Sequence, residues 1–252
     1  MIKFFKKIRQ RLISENKFSK YLLYAIGEII LVVIGILIAL SINNWNDKSK
    51  ENLKEKLVLL EISNSLLANL DWFQDVSYKR LERKTEGISR LTKMIGENEK
   101  TVSFDSIIKL FNKSQTDISI IYDSGPYESL KTYGFEIISN DTLRKLIINS
   151  YEVTFPSMRV FGDKTQKILD PLIEEIKIKI FKKEAVQNEK GVWQLINTPK
   201  DNKILTNPDF KNLLDLENQK YNNYINRLNY VKRRMTNLNK QIVEELDYLN
   251  EK

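Results

Sequence analysis

The chain has 252 residues, no histidine and no cysteine, and 41 basic against 33 acidic side chains, a net charge of +8. Without imidazole or thiolate it lacks the ordinary ligands of zinc, haem and iron–sulfur sites, and it cannot assemble a Ser-His-Asp or Cys-His nucleophile. Nor is the charge laid out as a nucleic-acid footprint: seven basic residues and one acid, Glu15, put +6 of it within residues 1–20, leaving about +2 for the rest.

Residues 1–20 form a basic segment in which Ile2, Phe5, Ile8 and Leu12 share one helical stripe. That pattern fits a helix lying in the membrane interface with its cations on anionic headgroups, although the same charges serve equally as topology signals. Tyr21–Trp45 follows, apolar from Ile29 to Ile42 except for Gly35 and Ser41, with Glu28 as its one charge. About 20 apolar residues span a hydrocarbon core of roughly 30 Å, so a transmembrane helix is expected over 21–45. The positive-inside rule puts residues 1–20 in the cytoplasm and residues 46–252 across the inner membrane, in the periplasm of a Gram-negative cell. The absence of cysteine is compatible with an oxidising compartment. A cleaved signal peptide ending at Ala39-Leu40-Ser41 is the competing reading, and the long apolar run followed by Trp45, an interfacial anchor, weighs against it.

From Trp45 to Gly87 the chain has neither Gly nor Pro. Leu53, Leu60, Leu67, Gln74, Leu81, Ile88 and Ile95 recur every seven residues, with Leu57, Leu70, Tyr78 and Leu91 at the partner positions. This predicts one long helix from about 46 to 96 with a coiled-coil-like seam. Leu59, Ile62, Leu66, Trp72 and Phe73 widen its apolar face over 57–76, which should therefore touch more than one neighbour. The far end mirrors it. Asn207-Pro208 is a helix start, and Leu214, Tyr221, Leu228, Met235, Ile242 and Leu249 follow at sevenfold spacing. The two seams are expected to pack antiparallel.

Shorter helices lie between. Ser103 caps one to about Asn112; Asp123-Ser124-Gly125-Pro126 turns into another that Gly134 ends; Ser139-Asn140-Asp141 starts a third, Leu143 to about Val153. Pro156 opens a fourth, running past Ile180, with Val160, Phe161, Ile168, Leu169 and Leu172 among its apolar residues. The stretch 191–207 reads as a loop with a short strand at Val192–Ile196. The expected class is all-α: an N-terminal transmembrane helix, then an elongated antiparallel helical bundle with long first and last helices.

Chemistry has few candidates. Glu174/Glu175 and Glu244/Glu245 are adjacent pairs whose side chains diverge by about 100° on a helix, so they read as solvated faces. Tyr122, Tyr127, Tyr133, Phe135, Tyr151 and Phe155 are either core or the lining of a ligand pocket, with core the better fit. Glu28 is the one ionisable group in the span, in phase with Val32, Gly35 and Ala39, and Gly35-x-x-x-Ala39 is a small-residue packing face. It reads either as the proton site of a stator-like subunit or as an interface residue that packs one span on another.

The segment MIKFFKKIRQRLISENKFSKYLLYAIGEIILVVIGILIALSINNWN, with YESLKTYGFEIISNDTLRKLIINSYE from Tyr127 to Glu152, resembles a family of uncharacterised single-pass inner-membrane proteins from Bacteroidota, a domain of unknown function. The resemblance implies no activity and transfers no catalytic residue. The expectation is a membrane-anchored interaction, scaffold or sensory module and not an enzyme. Its partners are the lipid bilayer and a protein partner or second copy through the span; it needs no cofactor, metal or nucleic acid. A stator-like subunit and a membrane-tethered hydrolase are the alternatives. Any signal would pass to a partner, since only about 20 residues are expected in the cytoplasm.

Overall fold

The computed structural model describes residues 18–97, 102–116 and 121–251; the interfacial stripe expected over Ile2–Leu12 lies outside them. The chain divides into two compact units, one up to Glu55 and one from Lys56 onward.

The first unit is helix throughout its described length, the N-terminal part of α1 (Phe18–Trp72). It contains the one helix among the described residues long and apolar enough to cross a membrane. Every residue from Ile29 to Lys50 is exposed, large aliphatics included. A helix apolar on all faces has no stripe to bury against a core and no polar face to offer water.

In the second unit, α1 is followed by a π-helical turn (Phe73–Tyr78) and then α2 (Lys79–Gly96). The last helix, α7 (Pro208–Glu251), runs antiparallel beside them. Ser63 bonds Asn239 at 2.7 Å, Tyr78 bonds Asn229 at 2.6 Å and Lys84 bonds Glu217 at 2.5 Å, so the partner number falls as the first climbs. Along α7 the predicted ladder holds: Leu214, Leu228, Met235, Ile242 and Leu249 are buried and Tyr221 is half-buried.

The other ladder is right in one half only. Leu81, Ile88 and Leu91 are buried as expected, but Leu53, Leu57, Leu60, Leu67 and Gln74 are exposed. The buried positions upstream are Leu59, Ile62, Leu66, Asn69 and Phe73, one residue earlier. The cause is the π turn. A π-bulge accommodates one extra residue, so a ladder that would continue from Phe73 to residues 80 and 87 continues instead to Leu81 and Ile88.

The short helices form where their caps dictate. Ser103 Oγ accepts from the Ser106 amide to start α3 (Phe104–Ser114). Asp123 Oδ1 accepts from Gly125 N ahead of α4 (Gly125–Tyr133), and Gly134, at φ +95°, ends that helix where a side chain would strain. Asn140 caps α5 (Asp141–Asn149) through the amides of Thr142 and Leu143. The helix expected to reach Val153 passes into a second π turn at Ser150–Thr154. Pro156 then opens α6 (Pro156–Ile180), of which Leu169, Ile173, Ile176 and Ile180 are buried while Val160, Phe161, Ile168 and Leu172 face outward.

A two-stranded antiparallel hairpin is the departure from an all-helical fold. β1 (Phe181–Gln187) pairs with β2 (Trp193–Pro199), in register from Phe181↔Pro199 to Gln187↔Trp193. Its turn is tied by Asn188, whose side chain accepts from the amides of Lys190 and Val192, and by Gly191 at φ +74°. Phe181 anchors the hairpin by stacking on Phe111, ring centroids 3.9 Å apart. Asn112 of α3 holds the other strand, donating to the Asn197 carbonyl and accepting from its amide.

Candidate functional site

The sequence-predicted residues divide sharply. Glu28, Gly35 and Ala39 all lie on α1 within the first unit, and a Cβ added at Gly35 would meet nothing within 4 Å.

The aromatic group is core. Tyr151 stacks on Tyr127 at 4.6 Å, Phe155 meets Tyr151 edge-on at 5.0 Å, and Tyr122 and Phe135 complete the cluster. Tyr133, the sixth expected member, is exposed and takes no part. Ser65 and Asn69 tie the cluster to the turn at Asp123, Asn69 both donating to and accepting from its backbone.

Burial raises the phenols of this region. Tyr151 and Tyr127 are pushed well above the ordinary phenol range, Tyr127 also by the hydrogen bond it donates to Glu152 at 2.8 Å. Burial likewise raises Tyr78, Tyr122 and Tyr224. A folded pKa above its unfolded value contributes stability below the unfolded value and loses it as pH rises beyond. With no histidine or cysteine to titrate in between, the denaturation midpoint should stay level from about pH 6 to 9 and fall above about pH 10. A midpoint that moves strongly within the neutral range would contradict this assignment of the buried groups.

Of the carboxylate pairs, Glu174 and Glu175 are surface ion-paired, to Lys177 at 2.6 Å and Lys179 at 3.1 Å. Glu244 is exposed beside Lys240, but Glu245 is not a solvated group. It is buried and accepts from Asn140 Nδ2 at 2.5 Å, joining the cap of α5 to the seam of α7. The reading of that pair as a solvated face is corrected on this side.

The site that sequence reading missed is a cleft of about 600 Å³ bounded by α2, α3, α6, α7 and the hairpin. Its floor is the ion pair of Lys84 and Glu217, 2.5 Å apart, each side chain only 3% exposed. Lys84 also donates to the Ser114 carbonyl at 2.7 Å. On one wall Lys220 pairs with Asp170 at 2.6 Å, beside Tyr224. Burial works against the Lys220 ammonium, but the hydrogen bond to Asp170 and the charges of Asp170 and Glu217 more than offset it, so the group stays cationic. Asn112 of α3, Gln166, Glu174 and Lys177 of α6, and Lys183 and Leu195 of the hairpin are among the other lining residues.

Both floor residues carry a periodic signature. Lys84 lies seven residues before Leu91, and Glu217 seven before Tyr224 and fourteen before Val231. A charge standing at an apolar seam position was the available signal. Among the described residues no group of three His, Cys, Asp or Glu side chains is placed to hold a metal ion.

A family model described as a family of unknown function (DUF6090) matches residues 28–215, well over half of the chain, from Glu28 in α1 to the start of α7. No curated protein and no solved structure matches the chain.

Proposed function

The chain belongs to the DUF6090 family, whose function is unknown, and on that premise we propose that it is a single-pass inner-membrane protein whose unit from Lys56 onward works in the periplasm as an interaction or sensory module. One observation carries the reading: every side chain from Ile29 to Lys50 is exposed, although nearly all of those up to Ile42 are apolar. Water is a poor solvent for such a surface, and a bilayer is the solvent that suits it. The cations of residues 1–20 argue for a cytoplasmic N-terminus. The lack of histidine and cysteine, and the ion-paired or capping roles of the carboxylates singled out, speak for binding and against catalysis. No observation favours the stator-like subunit or the tethered hydrolase.

Reporter fusions test the topology. Alkaline phosphatase joined after Lys252, which folds only outside the cytoplasm, should be active in cells, and a fluorescent protein that matures only inside should stay dark there. The reverse pattern would put the helical unit in the cytoplasm and end the reading.

A further inference from the structure

We propose that the cleft above the Lys84–Glu217 pair is a binding site for a small, neutral, polyhydroxylated ligand, a saccharide of a few rings. The inference deepens the reading of an anchored binding module by naming what the module takes.

Size comes first. A cleft of about 600 Å³ falls within the range of small-molecule sites. Most such sites are predominantly apolar, and this one is not: ammonium, carboxylate, amide and phenol groups from five elements converge on it. The ligand it suits is therefore polar.

Charge narrows the class. Lys84 is matched by Glu217, Lys220 by Asp170 and Lys177 by Glu174. Beyond the single charge that Lys183 could match, a ligand of high net charge would have to break one of these pairs or leave its own charge unmatched in a partly desolvated site. A hydroxyl is both donor and acceptor, so it can sit between the ammonium and the carboxylate of an existing pair and satisfy both. A group remains to receive it. Among the described residues the side chain of Lys183 makes no hydrogen bond or ion pair, and it lines the cleft from the hairpin face it shares with Leu195 and Asn197. Leu195, exposed on the hairpin, offers apolar surface for the C–H face of a sugar ring.

The floor is the second, independent observation. A buried ion pair adds little net stability over apolar residues of similar size. Here one stands in place of two seam residues, in the wall of the cleft, where an apolar pair would have closed the seam. Its position is accounted for if the cleft must present fixed polar groups to a ligand.

The test uses the full chain in lipid nanodiscs, because sugar-headed detergents would compete. Titration calorimetry with maltose, cellobiose and N,N′-diacetylchitobiose as neutral probes, and citrate as a compact anion, reads the class directly. At least one neutral probe should bind saturably. Lys183→Met, at an exposed position that leaves the fold intact, should weaken it by about tenfold, the effect of losing one charge-assisted hydrogen bond. Binding of citrate alone, of no probe at millimolar concentration, or of a sugar with unchanged affinity in the Lys183→Met variant would each overturn the proposal. Calorimetry in nanodiscs does not depend on which side of a cell membrane the unit occupies, so a failure here is separable from a failure of the fusion assay.

Discussion

Lys84→Met should destabilise the helical unit by about 3–5 kcal/mol, the cost of leaving one buried charge without its partner. Glu217 is 3% exposed and accepts from Lys84 at 2.5 Å. Methionine fills the space of the lysine stem but donates nothing, which strands the carboxylate and the Ser114 carbonyl that Lys84 also serves. The second half of the experiment is the double variant Lys84→Met/Glu217→Leu. With both charges gone, the seam at this level becomes apolar like the levels above it, and most of the loss should return. Chemical denaturation of the full chain, followed by tryptophan fluorescence, gives the midpoints. A single variant that denatures with the parent would show that the pair is hydrated and not the dry floor described here. A double variant as unstable as the single one would show that packing, not charge, decides the site.

The same residues show why the cleft was hidden while the fold around it was not. On α7 the apolar period runs from Leu214 to Leu249 without a break in phase, so its buried face could be read directly. On α1 and α2 the phase changes at the π turn, and the change is masked. Upstream of it, adjacent pairs Leu59-Leu60 and Leu66-Leu67 make two sevenfold ladders equally apolar. The downstream residues Leu81 and Ile88 select one of them, and it is the wrong one upstream. Asn52-Leu53 favours the wrong ladder as well; Phe73-Gln74 favours the other, and there the apolar residue is the buried one. A polar residue inside an apolar ladder marked the insertion, as Lys84 and Glu217 marked the cleft.

The hairpin was half legible for a different reason. Val192–Ile196 is rich enough in branched and aromatic residues to read as a strand, and it lies within one residue of β2 at its start. Its partner, FKKEAVQ, is made largely of good helix formers and follows a helix without interruption. Tertiary contacts override that preference: Phe181 is drawn into the cluster of Phe111 and Phe210, and Asn112 fixes the far strand. None of those contacts is local, so no window of sequence around 181–187 carries them.

Gly87→Ala should cost about 1–3 kcal/mol, although alanine is the better helix former by nearly 1 kcal/mol. Gly87 sits inside α2, where a glycine is unfavourable unless packing requires it. It does so here. A Cβ at this position would stand 2.5 Å from the Leu110 carbonyl oxygen and 2.7 Å from the Ser114 amide nitrogen, both backbone atoms of α3. No rotamer change relieves a collision with a helix backbone, so α3 must move away. Ser114 is also the residue whose carbonyl receives Lys84, so that movement pulls on the floor of the cleft. The expected result is a lowered denaturation midpoint together with weaker saccharide binding, without any change to a residue lining the site. Gly96, at the end of the same helix, has nothing within 4 Å of an added Cβ and supplies the control. Gly96→Ala should leave both properties near the parent's, and a Gly87→Ala protein that gained stability would show that α2 and α3 are not held at this distance.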